Sequence, residues 1–180
     1  MTDVKAPSVV RDPTIPLLGV ACVLAGALFP IKINTMLGLP AHVLFLHVPV
    51  VLVPIVCTLI AALAIRPAWR AKFGVATALL ATGTMAATIL TVNAGEALRD
   101  QRGESGTKLA QHAELGGQLR WLIIVLTIAF ILLLVADQYM TLIPAAAPII
   151  AIAFTALAIL TIVWVARTGH LGAELAWGKS

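Results

Sequence analysis

Charge is what this sequence has least of. Asp, Glu, Lys and Arg make up 11% of the 180 residues, whereas 61% are hydrophobic. A soluble domain carries about 25% charged and about 45–50% apolar residues, so a soluble globular fold is excluded. The charges that remain sum to +4 with neutral histidine and stand scattered at segment ends. No basic run interleaves with aromatics, which leaves no nucleic-acid-binding surface. Cysteine is almost absent as well. Cys22 and Cys57 each lie inside an apolar stretch, without CxxC or metal-type spacing, and read as core thiols rather than as a disulfide or a nucleophile. GxSxG, HExxH and a phosphate-cradling glycine loop are all missing, so hydrolytic chemistry has no support. The N-terminal tail, MTDVKAPSVVRDPT (1–14), mixes acids with bases. No small-residue cleavage site follows the first apolar block, so it does not read as a removable signal.

What is present is apolar sequence in long blocks. A helix needs ~20 residues to cross a bilayer, and five blocks reach or approach that length: about 15–31, 39–65, 73–98, 109–140 and 148–167. The first is short and holds Pro16 and Pro30. The connections are brief, 66-RPAWRAK-72 and 99-RDQRGESGTK-108, with Pro144 and Pro148 marking the last turn. Short connections imply antiparallel neighbours. The expected fold class is therefore all-α: a polytopic membrane helical bundle of about five transmembrane helices, a four-helix core plus an N-terminal extra helix. Residues 15–180 form a single domain. In the third span, Gly83 and Ala87 sit four apart beside Thr77, Thr84, Thr88 and Thr91. We read these as close helix packing, with hydroxyls bonded to carbonyls of their own helix. The middle of every span lacks acids, bases and histidines, so no proton or ion relay is visible.

The stretch 42-HVLFLHVPVVLVP-54 is the exception to this smoothness, placing two histidines and two prolines in one span. Counting ~20 residues from the better-defined end of each span puts His47 just inside the membrane and His42 about one turn beyond it. The same count puts His112 outside the fourth span and His170 at the boundary of the fifth. Alternation of the bundle then gathers all four histidines, with Glu96, Glu114 and Glu174, at one membrane face. Trp121, Trp164 and Trp177 fall near the same level, as an interfacial belt does. Lys and Arg divide too evenly between the faces for the positive-inside rule to orient the chain.

Imidazoles on separate helices at one depth are how bundles build cofactor sites, and neutral imidazole ligates haem iron, copper and zinc. The expected axial pair is His47 and His112, with His42 and His170 as further ligands or supporting groups. Glu96 and Glu174 stand behind them. His42 and His47 lie ~140° apart on a regular helix, but Pro49 frees the carbonyl of Phe45 and allows a bend there. Gly116 and Gly117 near His112, and Gly169 and Gly172 around His170, leave room for a flat macrocycle or a partner backbone. The expected cofactor is haem b, with a copper, iron or zinc ion, or none, as alternatives.

The run 42-HVLFLHVP-49 resembles the HP-x-x-x-HFP signature of an uncharacterised (DUF) family of small bacterial membrane proteins, with Val43 and Val48 in place of its proline and phenylalanine. The tail 169-GHLGAELAWG-178 resembles that family's closing GGxLVYxxG motif, and 111-QHAELGG-117 its internal histidine. The resemblance covers about 39–178 and implies a bundle of about four spans in the bacterial inner (plasma) membrane. Some members are fused to Rieske-type domains, which implies a redox setting. Two functions follow as expectations. One is a haem or metal protein passing electrons to quinone or a redox partner protein. The other is a cofactor-free accessory subunit of a larger membrane complex, or of a homo-oligomer, with its histidines as interfacial hydrogen-bonders. Neither is a substrate-turnover enzyme.

Overall fold

The computed structural model describes residues 13–103, 105–140 and 144–178; most of the tail expected over 1–14 lies outside them. The elements are α1 (Thr14–Ala27), a two-strand hairpin β1 (Thr35–Met36) and β2 (Leu39–Pro40), α2 (Ala41–Phe45), α3 (His47–Ile65), α4 (Pro67–Arg102), α5 (Thr107–Tyr139), a 3-10 turn (Pro144–Ala146) and α6 (Ala147–Trp177). Four segments are long and apolar enough to cross a membrane: α2 with α3 as one run, α4, α5 and α6. α1 has 14 residues, about 21 Å of helix, too short for a hydrocarbon layer of about 30 Å.

The four spans form a ring: α3 packs on α4 and α6, and α5 packs on the same two helices. α1 lies against the outside of α4 and α5. Helices are the natural solution because a bilayer offers no partner for backbone N–H and C=O groups. The ring is filled by fully buried Val56, Ile60, Met85, Ile89, Ile123 and Phe130. Cys57 lies in this core as expected, whereas Cys22 is exposed on α1. In α4, Thr84, Thr88 and Thr91 each donate to the carbonyl four residues back, so their hydroxyls are spent within the helix. Gly83 differs from the packing expected of it: it faces outward, with nothing near the place a Cβ would occupy. The close approach falls at Gly74, where a Cβ would stand 2.7 Å from Leu134 Cδ2.

Three local differences from the sequence reading have simple causes. The stretch expected as a loop over 66–72 is helical from Pro67, because proline suits the first helical position, where no N–H is needed; Arg66 alone makes the turn. The tail after Arg167 stays helical to Trp177 despite Gly169 and Gly172. Residues 35–40 form a hairpin with Leu37 at φ 53° and Gly38 at φ 78°, the left-handed pair that two-residue hairpin turns require.

At 36 and 33 residues, α4 and α5 run about 54 and 50 Å, longer than the hydrocarbon is thick. Their ends overhang, and the polar chemistry sits on those overhangs.

Candidate functional site: a paired-imidazole rim

The histidine-bearing ends of the helices meet at one rim. Trp164 is an aromatic of the type that lies at a membrane boundary, and its Nε1 donates to Gln118 Oε1 at 2.7 Å. His112 lies nearly two turns before Gln118 on α5, and Thr168 one turn beyond Trp164 on α6, so this end of the bundle stands outside the hydrocarbon.

Two of the four histidines come together. The rings of His42 and His112 have their centres 6.2 Å apart, with planes at 87°, and both side chains are half-buried. Each is held in the same way. His42 Nδ1 lies 2.9 Å from the Thr91 carbonyl of α4, and His112 Nδ1 lies 3.1 Å from the Thr168 carbonyl of α6. A carbonyl only accepts, so Nδ1 carries a proton in both rings, and Nε2 is the nitrogen that holds the lone pair of a neutral ring.

Four residues beyond each accepting threonine is a glycine, in 91-TVNAG-95 and 168-TGHLG-172. A Cβ on Gly95 would fall 2.9 Å from His42 Nδ1, and one on Gly172 would fall 3.0 Å from His112 Cε1. The absent Cβ is what lets the imidazole lie against the helix and reach a carbonyl already engaged in the helical ladder. Both threonines turn their own hydroxyls away, to Ala87 O and Trp164 O. The rim thus holds two copies of one socket, Thr-x-x-x-Gly, each filled by an imidazole from another helix. Burial, and then the neighbouring His42, hold the His112 ring below the ordinary imidazole range, which keeps it neutral near pH 7.

The other expected site residues stand elsewhere. His47 opens α3 and is exposed, and the partner of His112 is His42 rather than His47. His170 is exposed and pairs with Glu174 at 3.1 Å; Glu174 also accepts from Lys108 at 3.3 Å. Glu96 lies 3.4 Å from Arg120. Glu114 is exposed and accepts from Gln118. Of the glycines expected to admit a macrocycle, Gly172 has its open side taken by the His112 ring, and Gly116 faces Val92. Ahead of Pro49, Leu46, between α2 and α3, keeps helical angles of φ −58° and ψ −26°. Among the described residues, no group of three or more His, Cys, Asp or Glu side chains is arranged to hold a metal ion.

Two polar clusters escaped the sequence reading. At the histidine rim, fully buried Asn93 donates through Nδ2 to the carbonyls of Leu28, Phe29 and Ile31, tying down the chain just past the end of α1. Its Oδ1 accepts from Arg120 at 2.7 Å, and the Arg120 guanidinium lies 4.3 Å over the Phe29 ring. At the opposite rim, Arg70 clasps Asp137 through both Nε and a terminal nitrogen. It also donates to the Leu63 and Ala64 carbonyls at the end of α3. Further along the histidine rim, Lys32 donates to Asp100 at 2.9 Å. That hydrogen bond and the lysine charge hold the exposed Asp100 carboxyl below its usual range.

Comparison with curated proteins and with solved structures returned no match. A family profile does match, described as "Predicted membrane protein (DUF2231)", over residues 38–180. The match takes in the hairpin glycine Gly38, the four spans and both imidazole sockets, and leaves α1 outside. On that coverage the chain belongs to the predicted membrane protein family DUF2231.

Proposed function

We propose that this protein is an accessory subunit of a larger membrane assembly, working by helix packing rather than by turnover, in the bacterial inner membrane. The observation that carries this reading is the outer face of α6. Only 17% of its membrane window is buried, against 56% for α4 and 50% for α5. Ile149, Ile152, Ala156, Ile159, Val163 and Ala166 are all exposed and follow one another at spacings of three and four. That is the 3.5-residue repeat by which left-handed helix pairs interlock. β-branched and small side chains at those positions suit a partner helix approaching closely. The rims support the same reading, since their polar groups bind helices to one another.

A photo-crosslinker placed at Ala156 in native membranes tests the proposal. It is expected to capture one defined protein partner, and Ala156→Leu is expected to reduce co-purification with that partner while leaving thermal stability unchanged. Crosslinks to lipid alone, with a monomeric particle in mild detergent, overturn it. An electron-transfer reading, with haem b or a transition metal serving quinone or a redox protein, rests on the paired imidazoles and on the Rieske-fused relatives that the motif resemblance implies.

A further inference from the structure

The geometry points to a site that the subunit reading does not need: His42 and His112 together form a two-imidazole clamp for a single transition-metal centre, with Nε2 of each ring as the ligand. A metal bound by two nitrogens at ~2.0 Å each places the ring centres about 6 Å apart, and the rings stand at 6.2 Å. Their planes are perpendicular, which coordination permits, because an imidazole turns freely about its metal–nitrogen axis.

The sockets supply what a ligating histidine needs. A ring N–H bonded to a carbonyl fixes the tautomer, sets the ring orientation and raises the basicity of the other nitrogen. Thr91 and Thr168 provide that carbonyl, and Gly95 and Gly172 provide the space for the ring to reach it. One such socket is an ordinary way to satisfy a histidine. Two sockets of the same Thr-x-x-x-Gly form, on different helices, holding different rings one metal's width apart, call for a shared ligand. The alternative, two rings that only brace helices, does not require the ring centres to stand one metal's width apart.

The donor count narrows the chemistry. No third His, Cys, Asp or Glu joins the pair among the described residues, whereas zinc takes four ligands. A centre content with two protein nitrogens is either copper(I), which accepts linear two-coordination, or haem iron, whose macrocycle supplies the remaining four. Imidazole suits both metals.

The experiment uses the full chain in detergent, stripped by chelator. It is titrated anaerobically with copper(I) against a chromophoric copper(I) chelator, and separately with haemin under dithionite, following the Soret band. One of the two probes is expected to saturate at one per chain. His42→Gln and His112→Gln keep a donor for the threonine carbonyl; each is expected to weaken binding more than 100-fold with helicity unchanged. Gly172→Ala, which disturbs only the socket, is expected to cost about 10–100-fold. His47→Gln and His170→Gln are expected to bind as the parent does. If neither probe saturates at one site, or if binding survives both His42→Gln and His112→Gln, the clamp does not exist. Neither result bears on crosslinking at Ala156, so the two proposals fail separately.

Discussion

Removing one member of the Arg70–Asp137 pair should cost very different amounts depending on which member goes. Arg70 has a side chain only 8% exposed, while that of Asp137 is 29% exposed. In Asp137→Ala the guanidinium keeps the Leu63 and Ala64 carbonyls at 3.2 and 3.4 Å but loses its counter-charge inside the bundle. An uncompensated buried charge costs about 3–5 kcal/mol, which for a chain of this size is about 6–20 °C in Tm at about 2–4 °C per kcal/mol. In Arg70→Ala the carboxylate left behind reaches water at the rim. The loss should then approach the value of a partly screened pair, about 1–2 kcal/mol. Replacing both, Arg70→Met with Asp137→Leu, leaves no charge to strand and should fall within about 1 kcal/mol of the parent. Thermal unfolding of the four proteins in one detergent gives the order directly. Equal losses for the two single variants, or a double variant worse than Asp137→Ala, would refute the claim that desolvation at Arg70 governs this rim.

Three further outcomes follow from the same geometry. Asn93→Leu removes the donor to three carbonyls at the end of α1 and the Oδ1 acceptor of Arg120, which keeps its Glu96 pair but whose Nε is already buried without a partner. It should cost about 2–3 kcal/mol and raise hydrogen exchange over 14–31 before the rest of the bundle. Gly74→Ala presses a methyl against Leu134, and overpacking of that kind costs about 1–3 kcal/mol, read as a lowered Tm; Gly83→Ala, facing open space, should be neutral or slightly stabilising. The fold holds the His112 imidazole below its ordinary value, so the unfolded chain takes up the proton more readily. The contribution of this end to stability is therefore complete above about pH 6.5 and is lost as pH falls through the lower folded value. Exchange at 107–112 and 168–177 should rise on acidification in the parent and rise less in His112→Gln, which keeps the Lys108–Glu174 and His170–Glu174 pairs.

The fold was legible because its main signal is composition. Four blocks of about 20 or more apolar residues force four helices, whatever packs against them. Helix ends were less legible. Pro67 reads as a breaker until its place at the first turn is known, and Gly169 and Gly172 read as a loop although the helix passes through both. The gathering of histidines at one rim is the expectation most open to test by geometry. Counting residues along straight helices fixes depth but not azimuth. His42 and His47, five apart, differ by ~140° around the helix. Depth favours His47 as the inward ring, whereas the observed azimuth turns His42 toward α4 and His47 outward.

A signal that could have chosen between the two was present, but on the partner helices. Thr91 with Gly95 and Thr168 with Gly172 each pair a carbonyl with a missing Cβ one turn further along. A socket of this kind is a property of the receiving helix, and sequence reasoning that looks only at the histidines does not see it. Arg120 with Asn93, and Arg70 with Asp137, make the same point. A polar residue in an apolar helix must find a partner, but the partner lies 27 residues away in one case and 67 in the other. Only the ring order of the helices decides which candidates meet. The two rims are thus specified jointly by several helices, and a substitution at either rim is expected to disturb helix–helix register before it disturbs any single helix.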